Sequence, residues 1–175
     1  MLTITLLGTA ATMPLPDRAL SAAFAACGGH GLLWDCGEGT QVGLRRYGVS
    51  AYRLSAVLLT HYHGDHILGI PSLLKSGKVR RTYIHPDDRE DLISSMQKFF
   101  GLTAEDLKLV NIVDGDTVRI GSEELEVVDV PGHTKGSVVF FYKDYIFTGD
   151  AVGSGDLFMM EAATDTYLPS LEHFM

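Results

Sequence analysis

The chain has 175 residues, of which 46% are hydrophobic, and a formal net charge of −8 at pH 7. This length predicts one folded domain over residues 1–175, and the composition excludes an intrinsically disordered chain. No apolar run approaches the roughly 20 residues that cross a bilayer, so we expect no membrane association, and the acidic balance disfavours a polyanionic partner.

The N-terminal region predicts a group of short strands. Leu2–Leu7 alternates threonine with aliphatic residues, which is typical of a half-buried strand and unlike a signal peptide. Residues 21–27 and 32–35 predict two further strands joined by a glycine-rich turn. The only cysteines, Cys27 and Cys36, lack a paired spacing, so we expect free buried thiols and a cytoplasmic location.

A strand-to-helix turn follows, with the sequence Asp35-Cys36-Gly37-Glu38-Gly39-Thr40-Gln41. Its glycines permit unusual backbone angles, and its carboxylates lie near the start of a helix. Asp35 could orient a metal-ligand histidine by a hydrogen bond, or it could only cap backbone amides. The sequence leaves both interpretations open.

The most informative stretch is His61-Tyr62-His63-Gly64-Asp65-His66, which comes directly after the apolar strand Val57–Leu59. Imidazole nitrogens and carboxylate oxygens are ligands for zinc and related divalent ions. His61 and His63 can point at one ion, whereas Asp65 and His66, beyond the Gly64 turn, can point at a second. The alternative is a run of surface histidines, which a position after a buried strand disfavours.

Two later turns offer the missing ligands. Pro131-Gly132-His133 follows a predicted strand over residues 125–130, and Thr148-Gly149-Asp150 follows another over residues 145–147. Alone, His133 and Asp150 would be interpreted as structural residues. Together with the first cluster they predict a shared site where strands end. His30, in a predicted turn, and His85, at a strand end, have no metal-ligand neighbours and are interpreted as non-ligands.

The rest of the second half predicts regular elements. A helix is expected from Pro86 to Phe100, ended by Gly101, with further strands at residues 109–113, 117–120 and 137–142. The strands at residues 137–142 and 145–147 are expected to pair across Lys143-Asp144.

The pattern His61-x-His63-x-Asp65-His66, with the later His133 and Asp150, resembles the metallo-β-lactamase superfamily of two-metal hydrolases. The resemblance implies an α/β fold, a four-layer αββα sandwich with the metals at the edge between its sheets. It implies that His61, His63 and His133 hold the first metal, that Asp65 and His66 serve the second, and that Asp150 bridges both.

Within that superfamily, residues 1–74 resemble ribonuclease Z, through Leu7-Gly8-Thr9, the turn after Asp35 and the stretch Gly64–Leu74. Residues 75–175 are more similar to glyoxalase II and lactamase-like hydrolases. Residues 1–74 carry four arginines and four acids and no lysine, so the later segment carries the whole net charge. One hypothesis is therefore a recombined or engineered chain with a seam near residues 74–80.

The resemblance also implies what to expect of function. Asp65 would orient a water nucleophile and accept its proton, with zinc as the first choice of metal and iron or manganese as alternatives. Ribonuclease Z has a basic tRNA-holding arm between its equivalents of His133 and Asp150, where this chain has only sixteen residues. We therefore expect a small ester, thioester or phosphodiester substrate rather than a nucleic acid. A tRNA 3′-processing endonuclease and an inactive folded scaffold are the alternatives.

The end of the chain is short for this superfamily. Only 25 residues follow Asp150, and they include one histidine, His173, within a helical pattern. We therefore expect a C-terminally abbreviated fold, with a second metal site held by Asp65, His66 and Asp150 and weaker than the first. The apolar segment 157–160 has no predicted partner, so we expect a homodimer or larger assembly that uses residues after Asp150.

Overall fold

The computed structural model describes residues 1–50, 54–75, 77 and 79–151. Within these residues, ten strands form two sheets accompanied by five helices. The strands are β1 (Thr3–Gly8), β2 (Ala22–Cys27), β3 (His30–Trp34), β4 (Leu54–Leu58), β5 (Arg81–Ile84), β6 (Leu109–Asn111), β7 (Thr117–Ile120), β8 (Glu123–Asp129), β9 (Val138–Tyr142) and β10 (Tyr145–Phe147). The helices are α1 (Thr40–Arg46), α2 (Gly64–Ile67), α3 (Ile70–Leu74), α4 (Pro86–Phe100) and α5 (Ala104–Leu107).

The first sheet has the strand order β1-β2-β3-β4-β5-β6. Its first three strands pair antiparallel, and β3 to β6 pair parallel. Side chains alternate between its faces, as the pleat requires. Leu33 and Val57 therefore face the helices, whereas Leu32 and Leu58 face the second sheet.

The helices cover the outer face of this first sheet. Their buried residues join those of the strands in one core, which includes Leu44, Ile70, Leu92, Met96 and Leu107. Residues from both sides of the hypothetical seam at 74–80 belong to this core. The seam therefore does not divide the packing, and a recombined origin stays a prediction.

The second sheet is antiparallel with the order β10-β9-β8-β7, and it packs against the inner face of the first. The contact includes Trp34 and Leu58 from one sheet and Val127, Val138 and Phe140 from the other. Three layers of the expected αββα sandwich are thus in place. Among the described residues no helix packs on the outer face of the second sheet, and the predicted segment 157–160 and His173 lie outside these residues.

Two helical features differ from the sequence prediction. The apolar spacing after His66 predicts one helix around Asp65–Leu74, but the structure has two short helices there. Gly69 between them lies against the backbone of Cys36 and Gly37 and donates its N–H to Cys36 O, and Pro71 has no N–H to continue a helix. Helix α5 was not predicted, although Thr103 and Asp106 form a reciprocal capping box at its start. No helix in the described part of the chain is long and apolar enough to span a membrane.

The topology brings the predicted site together. Because β3, β4 and β5 run parallel, the residues that follow them, Asp35, His61 and His85, emerge at the same end of the sheet. A backbone hydrogen bond from Val138 N to Thr60 O, 2.9 Å long, joins the second sheet to this end. The turns that carry His133 and Asp150 flank β9 and β10, so they reach the same place.

The close packing at Gly69 gives a first prediction. A methyl group there would collide with the carbonyl oxygen of Gly37 and lie 2.8 Å from that of Cys36, and backbone atoms cannot move aside cheaply. Gly69→Ala should lower the free energy of unfolding by about 1–3 kcal/mol, measured by urea denaturation. Gly64→Ala is the matched control, because its new methyl group would meet only the Leu68 side chain, at 3.4 Å. Equal stability of the two variants would contradict this account.

Candidate metal centre

Three imidazole nitrogens meet at one point beside the sheet end. Nε2 of His133 lies 2.9 Å from Nδ1 of His63 and 3.2 Å from Nε2 of His61. His61 and His133 are buried, and His63 is half-buried. The sequence had predicted that these three residues share a site, and the structure places them together as a group that could hold a metal ion.

This convergence fits a metal better than it fits a hydrogen-bond network. A neutral imidazole has one donor and one acceptor nitrogen, so three ring nitrogens that face one another cannot all be satisfied by hydrogen bonds. Nitrogen ligands about 2.0–2.1 Å from a tetrahedral zinc ion are roughly 3.3–3.4 Å apart, near the two separations observed. The donor set therefore suits a divalent ion.

A second group lies against the first. Nε2 of His66 is 3.3 Å from Oδ1 of Asp150, and Nε2 of His133 is 3.7 Å from Oδ2 of the same carboxylate. His61, His66 and Asp150 form the second set of side chains that could hold an ion. Asp150 thus directs one oxygen to each group, which is the arrangement that the predicted bridging role requires.

Asp65 is placed differently from the other predicted ligands. Its Oδ2 accepts a hydrogen bond of 2.8 Å from the backbone N–H of Thr12 and lies 3.9 Å from Nε2 of His66. It faces the centre but is not part of either compact group among the described residues. Its predicted roles as ligand and base stay predictions.

Asp35 orients two of the histidines. Its Oδ2 lies 2.8 Å from Nδ1 of His66, and its Oδ1 accepts the backbone N–H of Thr60 at 2.9 Å. The Thr60 hydroxyl donates its single hydrogen to Asp35 and so accepts the Nδ1–H of His61, 3.1 Å away. Nε2 of each ring is then the nitrogen left to face the centre. Asp35 therefore both fixes the rings of two candidate ligand histidines and accepts a backbone amide, the two roles that the sequence left open.

The electrostatics follow from burial and these neighbours. Burial is the main reason that the pKa of His61 lies well below its ordinary value. The imidazoles of His66, His133 and His63 lower this pKa further. Burial also opposes protonation of His66, but the carboxylates of Asp35 and Asp150 raise its pKa to about 10. The hydrogen bond with His66 lowers the pKa of Asp150. A metal bound at His66 Nε2 must therefore displace a proton.

The loop that carries Asp150 is held from two sides. Phe147 stacks on Trp34 with ring centroids 3.8 Å apart. Gly149 has a φ of 51° and lies so close to Thr60 that any side chain there would collide with it. These contacts attach the Asp150 loop to Trp34 of β3 and to Thr60, the residue whose hydroxyl contacts His61.

The histidines predicted to lie outside the site do so. His30 is exposed at the start of β3, and His85 caps the N-terminus of α4 by accepting the N–H of Asp87. Sequence reasoning missed Thr60 and the Thr12 amide. Thr60 could have been found only from its place before His61, and nothing in the sequence indicates that the Thr12 amide contacts Asp65.

Comparison with known families agrees with this geometry. The model of the metallo-beta-lactamase superfamily matches residues 21–174, nearly the whole chain. The chain belongs to the metallo-β-lactamase superfamily. It therefore has the metallo-β-lactamase fold, and the α/β fold class expected from the sequence is confirmed.

Within the superfamily, the chain is similar to proteins named ribonuclease Z. Ribonuclease Z of Lachnoclostridium phytofermentans is 45% identical over 102 residues, which cover 55% of this chain and 34% of that protein. Ribonuclease Z of Ignicoccus hospitalis is 35% identical over 134 residues, covering 73% of this chain and 44% of that protein. The chain thus spans less than half the length of these relatives, and the resemblance to ribonuclease Z is confirmed.

Similar solved structures agree on the fold. The metallo-beta-lactamase fold protein YhfI of Bacillus subtilis superposes with a TM-score of 0.63 at 26% identity, covering 85% of this chain and 59% of that protein. The short form of human tRNase Z gives a TM-score of 0.60 at 24% identity, covering 82% of this chain and 64% of that one.

Metal occupancy gives a second prediction. The first group offers three imidazoles, whereas the second depends on His66 and one carboxylate, Asp150, together with a histidine of the first group. We expect one tightly held metal per chain and a second that is partial or lost on dialysis. Elemental analysis after dialysis measures this directly. Two metals retained equally well would show that the second group is complete.

Asp35 gives a third prediction. Asp35→Asn keeps the shape and tolerates the φ of 53°, but its amide nitrogen cannot accept the Nδ1–H of His66. Zinc affinity at the second group should fall by about 10–100-fold, as measured by competition with a chromogenic chelator. Asp17→Asn, at an exposed position, makes the same charge change and should bind as the wild type does. Unchanged zinc binding by Asp35→Asn would show that Asp35 does not orient His66 for metal binding.

Proposed function

We propose that the chain hydrolyses phosphodiester bonds with metal ions held at this centre, and that RNA is its substrate class. The observation that carries the proposal is the convergence of His61, His63 and His133 beside a carboxylate, Asp150, that faces both ligand groups. Relatives named ribonuclease Z support RNA as the substrate class. They favour the nucleic-acid alternative over the small-molecule expectation drawn from the sequence.

The side chains have distinct proposed roles. His61, His63 and His133 would hold the first metal, and Asp65, His66 and Asp150 would serve the second, with zinc as the metal that suits this donor set best. Iron and manganese accept the same nitrogen and oxygen donors. When bound, such ions bring the pKa of water towards neutrality and polarise the oxygen of the scissile group.

Asp65 is the proposed proton acceptor. The Thr12 amide holds its Oδ2 at 2.8 Å, and its side chain is 15% exposed at the edge of the centre. A carboxylate held in this way keeps one direction, so it can orient a water molecule and take up its proton without reorganising.

A small ester or thioester remains the second candidate because of one feature of the second sheet. Between His133 and Asp150 the chain forms only the β9–β10 hairpin, whose turn consists of Lys143 and Asp144. This leaves no room for a long basic arm at that place, and the chain has a net charge of −8. Binding of a large RNA would then depend on other surfaces, such as the one that includes Arg45 and Arg46.

Substrate comparison tests the proposal. Metal-loaded protein would be assayed on bis(p-nitrophenyl) phosphate, on precursor tRNA over a salt series, and on p-nitrophenyl acetate and a model thioester. We expect turnover of the phosphodiester to exceed that of the acetate and thioester, with RNA cleavage that weakens as salt rises. Turnover of the acetate or thioester alone would favour the second candidate, and no turnover of any substrate would favour an inactive scaffold.

A variant of Asp65 gives a fourth prediction. Asp65→Ala should lower kcat on bis(p-nitrophenyl) phosphate by about 10²–10⁴-fold, because the proton acceptor is lost. His30→Ala removes an exposed histidine far from the centre in the sheet and should keep wild-type turnover. An Asp65→Ala enzyme with full metal content and normal kcat would assign the base role elsewhere.

Two further expectations belong to this proposal. A cytoplasmic location is supported by the two buried cysteines, Cys27 and Cys36, which are free.

Self-association stays a prediction because its proposed contact, the residues after Asp150, lies almost entirely outside the described residues. Light scattering at micromolar concentration would test it, and a stable monomer would contradict it.

A further inference from the structure

We propose that Asp88 is a positioning residue for His133, acting from the first turn of α4 through the loop between β8 and β9. The inference rests on the metal centre of the proposed function. By its position, Asp88 is one of two acidic residues in the first turn of α4, where a negative charge is favourable. The structure gives it a more specific set of contacts.

The Asp88 carboxylate binds the loop directly beyond His133. Its Oδ2 accepts the hydroxyl of Thr134 at 2.7 Å, and its Oδ1 accepts the backbone N–H of Gly136 at 2.8 Å. Ser137 completes the arrangement, because its Oγ accepts the N–H of Thr134 at 2.9 Å. The residue next to the ligand is thus held through both its side chain and its backbone.

The loop backbone lies directly on this carboxylate. A methyl group at Gly136 would stand 2.8 Å from the Asp88 carboxyl carbon, so there is no space for the loop to approach differently. Asp88 is only 1% exposed. Burial of a carboxylate costs free energy unless hydrogen bonds satisfy it. The bonds from the loop therefore stabilise Asp88 in its buried position, and Asp88 in turn holds the loop.

The same turn holds the other end of the loop. His85, three residues before Asp88, accepts the N–H of Asp87 at Nδ1 and therefore carries its proton on Nε2. That Nε2 lies 3.3 Å from Oδ2 of Asp129, the last residue of β8. The segment from Asp129 to Ser137, which carries His133 near its middle, is thereby attached to one helix start at both ends.

This arrangement explains why His133 can be a ligand although it is far in sequence from the other two. His61 and His63 are positioned by the strand that precedes them, whereas His133 follows a proline and a glycine in an irregular loop. Asp88 adds contacts from α4 to the local contacts of this loop, such as the bond from Gly132 N to Thr134 O. A ligand that samples several directions binds its metal more weakly.

The test compares Asp88→Ala and Asp88→Asn with Asp91→Asn. Asp91 is exposed one turn later on the same helix, so its change alters the charge without touching the loop. We expect zinc affinity, measured by chelator competition, to fall by about 10–100-fold in Asp88→Ala and by less in Asp88→Asn. Asp91→Asn should match the wild type.

A second pair of variants keeps the test valid if Asp88→Ala does not fold. Thr134→Val removes the hydroxyl that Asp88 accepts and keeps the shape, and Thr134→Ser restores the hydroxyl. We expect weakened zinc binding in the first and near wild-type binding in the second. Cobalt(II) would replace zinc as a spectroscopic probe, and the d–d bands should change in Thr134→Val, because a displaced imidazole alters the coordination.

The outcomes separate this inference from the proposed function. Zinc affinity and cobalt spectra equal to those of the wild type in Asp88→Ala and Thr134→Val would overturn the positioning role, even if both variants were less stable. Failure of the wild type to bind zinc or cobalt would contradict the metal centre itself. Weaker binding by Asp91→Asn, equal to that of Asp88→Asn, would assign the effect to helix charge and also overturn the inference.

Discussion

The buried carboxylate of Asp35 is the interaction on which the centre depends. It is 3% exposed, it adopts a φ of 53°, and it accepts hydrogen bonds from Thr60 and His66. Because a buried carboxylate is tolerated only with such partners, Asp35 holds their positions as firmly as they satisfy it. Through Thr60 it also sets the ring of His61. One residue that touches neither predicted ion thus directs a ligand in each group.

The rest of the fold keeps Asp35 and its partners in place. The N–H of Asp35 extends the parallel pairing of β3 with β4 by bonding to the carbonyl of Leu58. The carbonyl of Thr60 accepts the N–H of Val138, so the two sheets are joined at the residue that precedes the first ligand. The apolar core between the sheets sets their separation, and the Trp34–Phe147 stack closes it at the site. The site is therefore a product of sheet packing and not of one loop.

Much of this could be predicted because the candidate ligands follow strands, and buried strands have a recognisable hydrophobic pattern. Val57–Leu59 and the histidines after it, and the helix from Pro86 to Gly101, follow directly from hydrophobic periodicity and helix-stop signals. The contacts made by Asp88 and the Thr12 amide could not be predicted, because they join segments 46 and 53 residues apart and involve a loop backbone. The break before α3 had a signal in the sequence, since Pro71 has no N–H to continue a helix, whereas the bond from Gly69 N to Cys36 O had none.

The β9–β10 hairpin has a consequence for how this chain can vary. His133 and Asp150 stand at its two open ends, and their separation is set by strand pairing, with Phe140 opposite Phe147 and Tyr142 opposite Tyr145. The turn at Lys143 and Asp144 lies at the far, exposed end and takes no part in that register. Extra residues inserted there would lengthen a surface loop at a small entropic cost and leave the ligands where they are. The length of the hairpin tip can thus vary while the spacing between His133 and Asp150 is kept.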